Sequence, residues 1–286
     1  MGFQIITDTC CDFPAAMYEE LGLVAVPLQL RFREQEHTDI SENFLKTVYA
    51  GLRCGENATT SAVNPTCWAE YAEPALAAGK DVLIIAFSSG LSTTYQSAVI
   101  AAQELAEKYP QQKIRVVDSL CASMGQGLFV WYACQKRDAG LSLEETAAWC
   151  EENKQRLCHW FTVDDLFYLK RGGRIGAATA VLGTMLQIKP VLHVDNQGKL
   201  VSVSKARGRK AALDALVAKA AQTGLPGENS TMFISHGDCL EDAQYVADQL
   251  KQKCGVQEVV ISYVGGVIGS HSGPGTLALF FLGSTR

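Results

Sequence analysis

The sequence of 286 residues has no run of 18 apolar residues, so no transmembrane helix and no stable membrane insertion are expected. Positive charge is not in excess. Twenty-five Lys and Arg face 30 Asp and Glu, a net of −5, which argues against nucleic acid as a main partner. No G-x-x-x-x-G-K-[ST] loop is present to cradle a nucleotide phosphate. No G-x-S-x-G elbow is present either: Gly269 to Gly273 has the glycine spacing but carries His271 at its centre. The ten cysteines form no C-x-x-C pair and are scattered, so neither a zinc site nor a disulfide framework is expected. Buried free thiols in a reducing cytosol fit better, and cytoplasmic location is the expectation. The first residues lack a basic region ahead of their apolar run, so no signal peptide is expected. Met1-Gly2 starts a myristoylation pattern that fails at Ile6.

What is present is an ordinary globular composition, 48% apolar, on a chain long enough for one large domain or two smaller ones. Val82 to Phe87 is continuously apolar, as in a strand buried on both faces. It runs into Ser88-Ser89-Gly90-Leu91-Ser92-Thr93-Thr94, and a helix is expected from there to about Lys108. Phe3 to Ile6 is a second strand candidate, ending in Thr7-Asp8-Thr9-Cys10-Cys11-Asp12 before Pro14 opens a helix. Leu23 to Leu30 reads as the next strand, and Arg31 to Asp39 as a polar, hairpin-like excursion. Ser41 caps a helix to about Leu52. Asn64 and Pro65 mark the start of another, which leaves Thr59, Thr60 and Ser61 in the loop ahead of it. Ile114 to Val117 is a strand, and helices follow at about Cys121 to Arg137 and Leu143 to Cys158. The second of these opens with a Ser142/Glu145 capping box.

Beyond residue 155 to 160 the texture changes. Lys170-Arg171-Gly172-Gly173-Arg174 reads as an exposed basic loop, either a solvated turn or a docking point for a partner or phosphate. Ile188 to Val194 and Lys199 to Ser204 form a hairpin. A helix from Lys205 to Ala221 would open with four cations, against its own dipole, which hints at an anion nearby. Met232 to Ser235 and Val256 to Val264 are strands, with a helix from Leu240 to Lys253 between them. The last loop, Val267 to Thr276, holds three glycines, a proline, hydroxyls and His271, and Leu277 to Leu282 leaves it. That loop is either a tight turn with an incidental imidazole or an anion site. The first half therefore reads as α/β and the second as α+β.

Three hydroxyl-rich segments stand out: Thr60-Ser61, Ser88 to Thr94, and Ser270 to Thr276. Converging, they would offer neutral donors and one imidazole, suited to holding a small anion such as a carboxylate. They are poorly suited to reacting with it, because no second histidine or acid can be placed beside a serine. An apolar slot would admit a long acid. Gly183 to Leu186, Ile188, Val191 and Leu277 to Phe281 are candidates to line it. A chain of about sixteen carbons would gain on the order of 12 kcal/mol from burial, before ordering costs.

These pieces resemble the DegV family, which includes the fatty-acid-binding subunits of bacterial fatty acid kinase. The matching stretches are Ile5 to Asp12, Thr60-Ser61, Ser88 to Ala98, Asp165 to Ile175, Ile188 to Leu192 and Ile268 to Leu277. The resemblance implies a two-domain α/β plus α+β architecture. A Rossmann-like parallel-sheet domain over 1–158 is followed by a mixed-sheet lipid-binding domain over 159–286. It implies a non-enzymatic subunit, without cofactor or metal, that holds a long-chain fatty acid. A separate kinase catalytic subunit phosphorylates the carboxylate to an acyl phosphate for phospholipid synthesis. By motif position Thr60, Ser92 and His271 would hold the carboxylate, with Ser61, Thr93 and Ser272 as secondary contacts. Arg171, Arg174 and Arg207 would dock the kinase. The chain departs from the family pattern in having Thr93 for a glycine, Ala62-Val63 for Gln-Pro, and Ala278 for the glycine of Leu-Gly-Leu. The competing readings are a stand-alone enzyme, either a small-molecule kinase or a hydrolase, and a lipid-sensing regulator.

Overall fold

The computed structural model describes residues 2–176 and 187–286. The expected lining stretch from Gly183 to Leu186 lies outside them. Four short apolar runs, β1 (Gln4–Asp8), β2 (Val24–Val26), β6 (Val82–Ala86) and β7 (Ile114–Asp118), pair in parallel in the order β2-β1-β6-β7. All five residues of β6 are buried, because helices cover both faces of the sheet. Ile6, Val82 and Ile84 pack with α3 (Pro65–Ala77) and α4 (Thr94–Lys108). Ile5, Leu83 and Ile85 point the other way, into a core shared with α5 (Met124–Asp138) and α6 (Leu143–Asn153).

The run from Leu23 to Leu30 is not one strand. Pro27 has no N–H to offer a ladder, and the chain breaks there. Val24–Val26 stays in the parallel sheet, whereas β3 (Gln29–Phe32) joins a three-stranded antiparallel sheet with β4 (Gln35–His37) and β5 (Ala58–Ser61). Arg33 and Glu34, both at positive φ (51° and 62°), make the tight turn between β3 and β4. After α1 (Ala15–Glu20), helix α2 (Glu42–Arg53) is capped by Ser41 as expected. Thr59, Thr60 and Ser61 lie in β5 rather than in a loop, paired against Arg31, Leu30 and Gln29.

The third sheet has six strands in the order β10-β9-β8-β13-β11-β12: β8 (Leu157–Thr162), β9 (Ile188–Val194), β10 (Leu200–Arg207), β11 (Thr231–His236), β12 (Glu258–Tyr263) and β13 (Leu277–Leu282). Only β11 and β12 pair in parallel. Alternation assigns the two faces. Phe161, Ala278, Phe280 and Phe233 face α5. Trp160, Leu279 and Ile234 face α8 (Arg209–Thr223) and α9 (Leu240–Cys254). Two short helices complete the described chain, α7 (Leu166–Arg171) and α10 (Gly266–Ser272).

The helix expected from Leu143 to Cys158 stops at Asn153, and a 3-10 turn over Lys154–Arg156 delivers Leu157 and Cys158 into β8. We propose that the two units divide just ahead of Leu157, since 158/159 falls inside that strand. The helix expected from Lys205 starts only at Arg209, because β10 runs on to Arg207 and Gly208 turns at φ 86°. Arg209, at that helix start, is answered from within the chain, by Asp242 at 2.8 Å and Asp164 at 3.7 Å. All ten cysteines are unpaired, and six of them are buried. Among the described residues no helix is long and apolar enough to cross a membrane, and no three His, Cys, Asp or Glu side chains form a metal cluster.

Candidate functional site

The three hydroxyl segments meet. Thr60, Ser61, Ser92, Thr93, His271 and Ser272 all line one cavity of about 440 Å³ between the three sheets. His271 does not sit in a turn. It lies near the C-terminal end of α10, which Gly273 closes at φ 82°. The helix is placed by close approach. A Cβ on Gly269 would come within 2.9 Å of Tyr49 Cζ, and the Tyr49 hydroxyl donates to the Val264 carbonyl at 2.7 Å. Gly172, just past α7, lies flat against the imidazole, where a side chain would displace it. Thr60 arrives from β5, whose alternation half-buries Thr60 and exposes Ser61. Its Oγ1 lies 2.8 Å from His271 Nε2.

Ser92 engages its hydroxyl locally, 2.8 Å from Thr94 Oγ1, and accepts from the Thr94 N–H at 3.2 Å. This fixes the entry to α4 and leaves Ser92 facing the cavity. Thr93 is exposed at the mouth, and Ser272 is buried with an unpartnered Oγ. The loop is held from below by Asp8, which accepts from the Phe87 N–H at 2.8 Å and the Cys10 N–H at 3.0 Å. Burial pushes the Asp8 carboxyl up to about 6 despite these bonds.

The basic loop is not uniformly exposed. Arg174 is half-buried on the cavity wall and donates to the Leu91 carbonyl at 3.2 Å and to the Gly172 carbonyl. Arg171 is exposed, bonded to Asn57 Oδ1 at 2.6 Å, and stacks 5.1 Å from the Tyr168 ring. Arg207 is exposed at the end of β10. Burial first, then the charges of Arg174 and Arg171, push the His271 imidazole down to about 4. At neutral pH it is therefore neutral, hydrogen-bonded to Thr60 and flanked by two cations. A carboxylate meets attraction from both guanidiniums and donors from the hydroxyls.

Behind the polar end the cavity is mostly apolar. Ala278 and Phe280 line it, but Val191, Leu277, Leu279 and Phe281, also expected there, pack on the opposite face of the six-stranded sheet. The period of two explains the split, since only alternate residues of β13 can face one side. Phe161, Val194 and Leu200 complete much of the wall and were not expected from sequence. Ala278, where the family pattern favours glycine, puts a methyl group into the lumen.

The model of the uncharacterised protein DegV family matches residues 2–284. The chain belongs to the DegV family. A DegV domain-containing protein of Clostridium perfringens is 43% identical over 286 residues, covering 99% of this chain and 98% of that protein. The solved DegV structure from Thermus thermophilus, described by its fatty acid binding, superposes with a TM-score of 0.87 at 31% identity. It spans 99% of this chain and all of that one. DegV of Bacillus subtilis, described as a fatty acid binding protein, matches with a TM-score of 0.81 at 31% identity over 99% and 100% of the two chains. The DegV fold here thus combines the parallel-sheet unit with the mixed-sheet unit, and the cavity lies where the hydroxyl-bearing segments meet.

Proposed function

We propose that this protein binds a long-chain fatty acid, with the carboxylate at Thr60, Ser92 and His271 and the chain along the cavity. The observation that carries this reading is the meeting of the Thr60–His271 pair, Ser92 and Arg174 at one end of a mostly apolar cavity. The T. thermophilus and B. subtilis relatives, both described as binding fatty acids, support it. Buried methylenes contribute about 0.8 kcal/mol each, so chain length sets affinity and the polar end sets direction. Ser61, Thr93 and Ser272 are secondary contacts to the head, Ser272 through its buried, unpartnered hydroxyl. The site holds its ligand and does not transform it: Ser92 has Thr94 as its partner instead of a base.

In this reading the chain acts in the cytoplasm as the lipid-presenting subunit of a fatty acid kinase. A separate catalytic subunit docks over Arg171 and Arg207, with Arg174 at the rim, and phosphorylates the presented carboxylate for phospholipid synthesis. Lipid extraction of the purified protein followed by mass spectrometry tests the binding. A recovered C14–C20 acid is expected, and protein that neither carries nor takes up an acyl chain overturns the reading. His271→Gln and Thr60→Val each weaken binding while the chain stays folded, and unchanged affinity in both removes the head-group assignment. For the docking surface, Arg207→Glu, at an exposed residue away from the cavity lining, is expected to block phosphoryl transfer while fatty acid binding persists.

A further inference from the structure

Away from the head group the mostly apolar cavity wall carries a few polar side chains: His159 and Thr276 are engaged by backbone groups, and Ser123 and Ser235 form a linked pair. On the cavity face of the six-stranded sheet, the row Leu192–Phe161–Ala278–Ser235–Ser262 runs across β9, β8, β13, β11 and β12. Three apolar residues are followed by two serines. Ser235 is fully buried and lines the cavity. Its hydroxyl lies 2.8 Å from that of Ser123, which also lines the cavity, and Ser123 donates to Asp12 Oδ2 at 2.5 Å.

Ser123 breaks two local rules. It occupies the position before α5 where serine normally caps the helix, yet its side chain makes no cap bond. Its backbone, at φ 56° and ψ −148°, lies in a region that is nearly exclusive to glycine. Strain and a forgone cap at one residue both serve to aim its hydroxyl at Asp12 and Ser235. Such conflicts between local preference and observed structure concentrate at sites of function.

The direction of the hydrogen bonds follows. An ionised Asp12 only accepts, so the Ser123 proton goes to Asp12, and the 2.8 Å contact is donated by Ser235. Ser235 then presents lone pairs, and no proton, to the lumen. We propose that Ser235, oriented by Ser123 and Asp12, is an interior subsite that accepts a hydrogen bond from a hydroxyl carried on the ligand's chain, so that the cavity takes hydroxylated fatty acids. This rests on the fatty acid reading of the same cavity and specifies its ligand class. Burial pushes the Asp12 carboxyl up to about 7, so the acceptor form is the main one at pH 8.

The test is titration calorimetry at pH 8 with stearate, with stearates hydroxylated singly at positions 2 to 12, and with the matching oxo acids. The wild type and Ser235→Ala are compared. One hydroxyl position is expected to lose roughly five- to tenfold in affinity in Ser235→Ala. Stearate changes less than twofold and the oxo acid shows no dependence on Ser235. Ser235→Thr, which keeps the hydroxyl, retains the preference. Ser235→Cys, nearly isosteric and a poor hydrogen-bonding group, gives the same loss and replaces the alanine variant should that one unfold. Stearate binding with no hydroxyl position singled out by Ser235→Ala overturns the subsite alone. Absence of binding by every acid overturns the fatty acid reading and the subsite with it. Binding of a hydroxy acid but not of stearate upholds the subsite and restricts the ligand class to oxygenated chains.

Discussion

Substituting Gly172 by alanine separates binding from stability. Gly172 has φ −72° and ψ −8°, a conformation alanine adopts without strain, so the substitution costs the backbone nothing. In the unfolded chain it removes freedom, which contributes roughly 0.4–1 kcal/mol of stability. The new methyl, however, would overlap His271 Nδ1 and stand 3.1 Å from Cγ, so the imidazole must move. That motion lengthens its 2.8 Å contact to Thr60 and misplaces the ring for a carboxylate. A hydrogen bond to a charged partner contributes about 1.5–3 kcal/mol, so affinity is expected to fall roughly 10- to 150-fold. Gly173→Ala is the counterpart. Gly173 sits at φ 71° with open space around its Cα, so alanine there strains the backbone by about 1 kcal/mol and touches nothing in the site. The expected pattern is crossed: Gly172→Ala binds weakly at undiminished thermal stability, and Gly173→Ala binds normally at reduced stability. Fatty acid titration and thermal unfolding of both variants read it out. Normal affinity in Gly172→Ala refutes the claim that this glycine sets the imidazole.

Asp12→Asn tests the buried acid. Its folded-state value of about 7, against an ordinary 3.8, means that the folded chain gains stability as pH falls through 7, opposing the loss from His236 and His271, both pushed from 6.5 down to about 4. The variant is therefore expected to lose on the order of 1–2 kcal/mol more than the wild type between pH 7 and 5 by chemical denaturation; parallel profiles would mean Asp12 is not held protonated. Asn64→Ala removes the acceptor 2.9 Å from the Cys67 N–H and is expected to cost about 1 kcal/mol in unfolding experiments; a neutral result would show that Pro65 alone sets the start of α3. Fatty acid binding between pH 5 and 7 is expected to take up protons, because an adjacent carboxylate raises the His271 imidazole from about 4. Calorimetry in buffers of different ionisation enthalpy measures this, and binding heats independent of buffer would place the carboxylate away from His271.

Where the sequence was legible, one physical signal dominated. β6 is apolar throughout because both faces are covered, and Asn64-Pro65 and Ser142/Glu145 mark helix starts through their own hydrogen bonds. The hydroxyl segments that line the cavity could also be picked out, since clustered hydroxyls beside glycines suit an anion, although Thr60-Ser61 proved to lie in a strand and Ser270 to Ser272 in a helix. The misread segments are those where a local pattern is silent or shared. α10 spans seven residues, too few for helical periodicity to outweigh its glycines. Lys205 and Arg207 lie on the solvated end of a strand, where charge resembles a helix surface. Cys158 continues an apolar helical pattern into a strand that is buried along its whole length. The Asp12–Ser123–Ser235 chain has no sequence signature at all, because its links span more than 110 residues and only folding brings them together.

The charge arrangement explains why a neutral imidazole is useful at the head of such a cavity. A permanently charged histidine beside Arg171 and Arg174 would repel both, and its burial would cost several kcal/mol without a partner. Kept neutral, His271 is satisfied by Thr60 when no anion is present, and the two arginines supply the attraction from the rim. A carboxylate bound as proposed would change this balance, since it would partner the hydroxyls and favour protonation of the ring. Arg174, which bridges Leu91 and Gly172 between the hydroxyl loop and α7, borders the same end of the cavity. An acid held this way would be bound by groups that neither attack it nor abstract from it. Such a head site suits the proposed holding of an acid better than chemistry on it, since Ser92 has Thr94 and not a base as its partner.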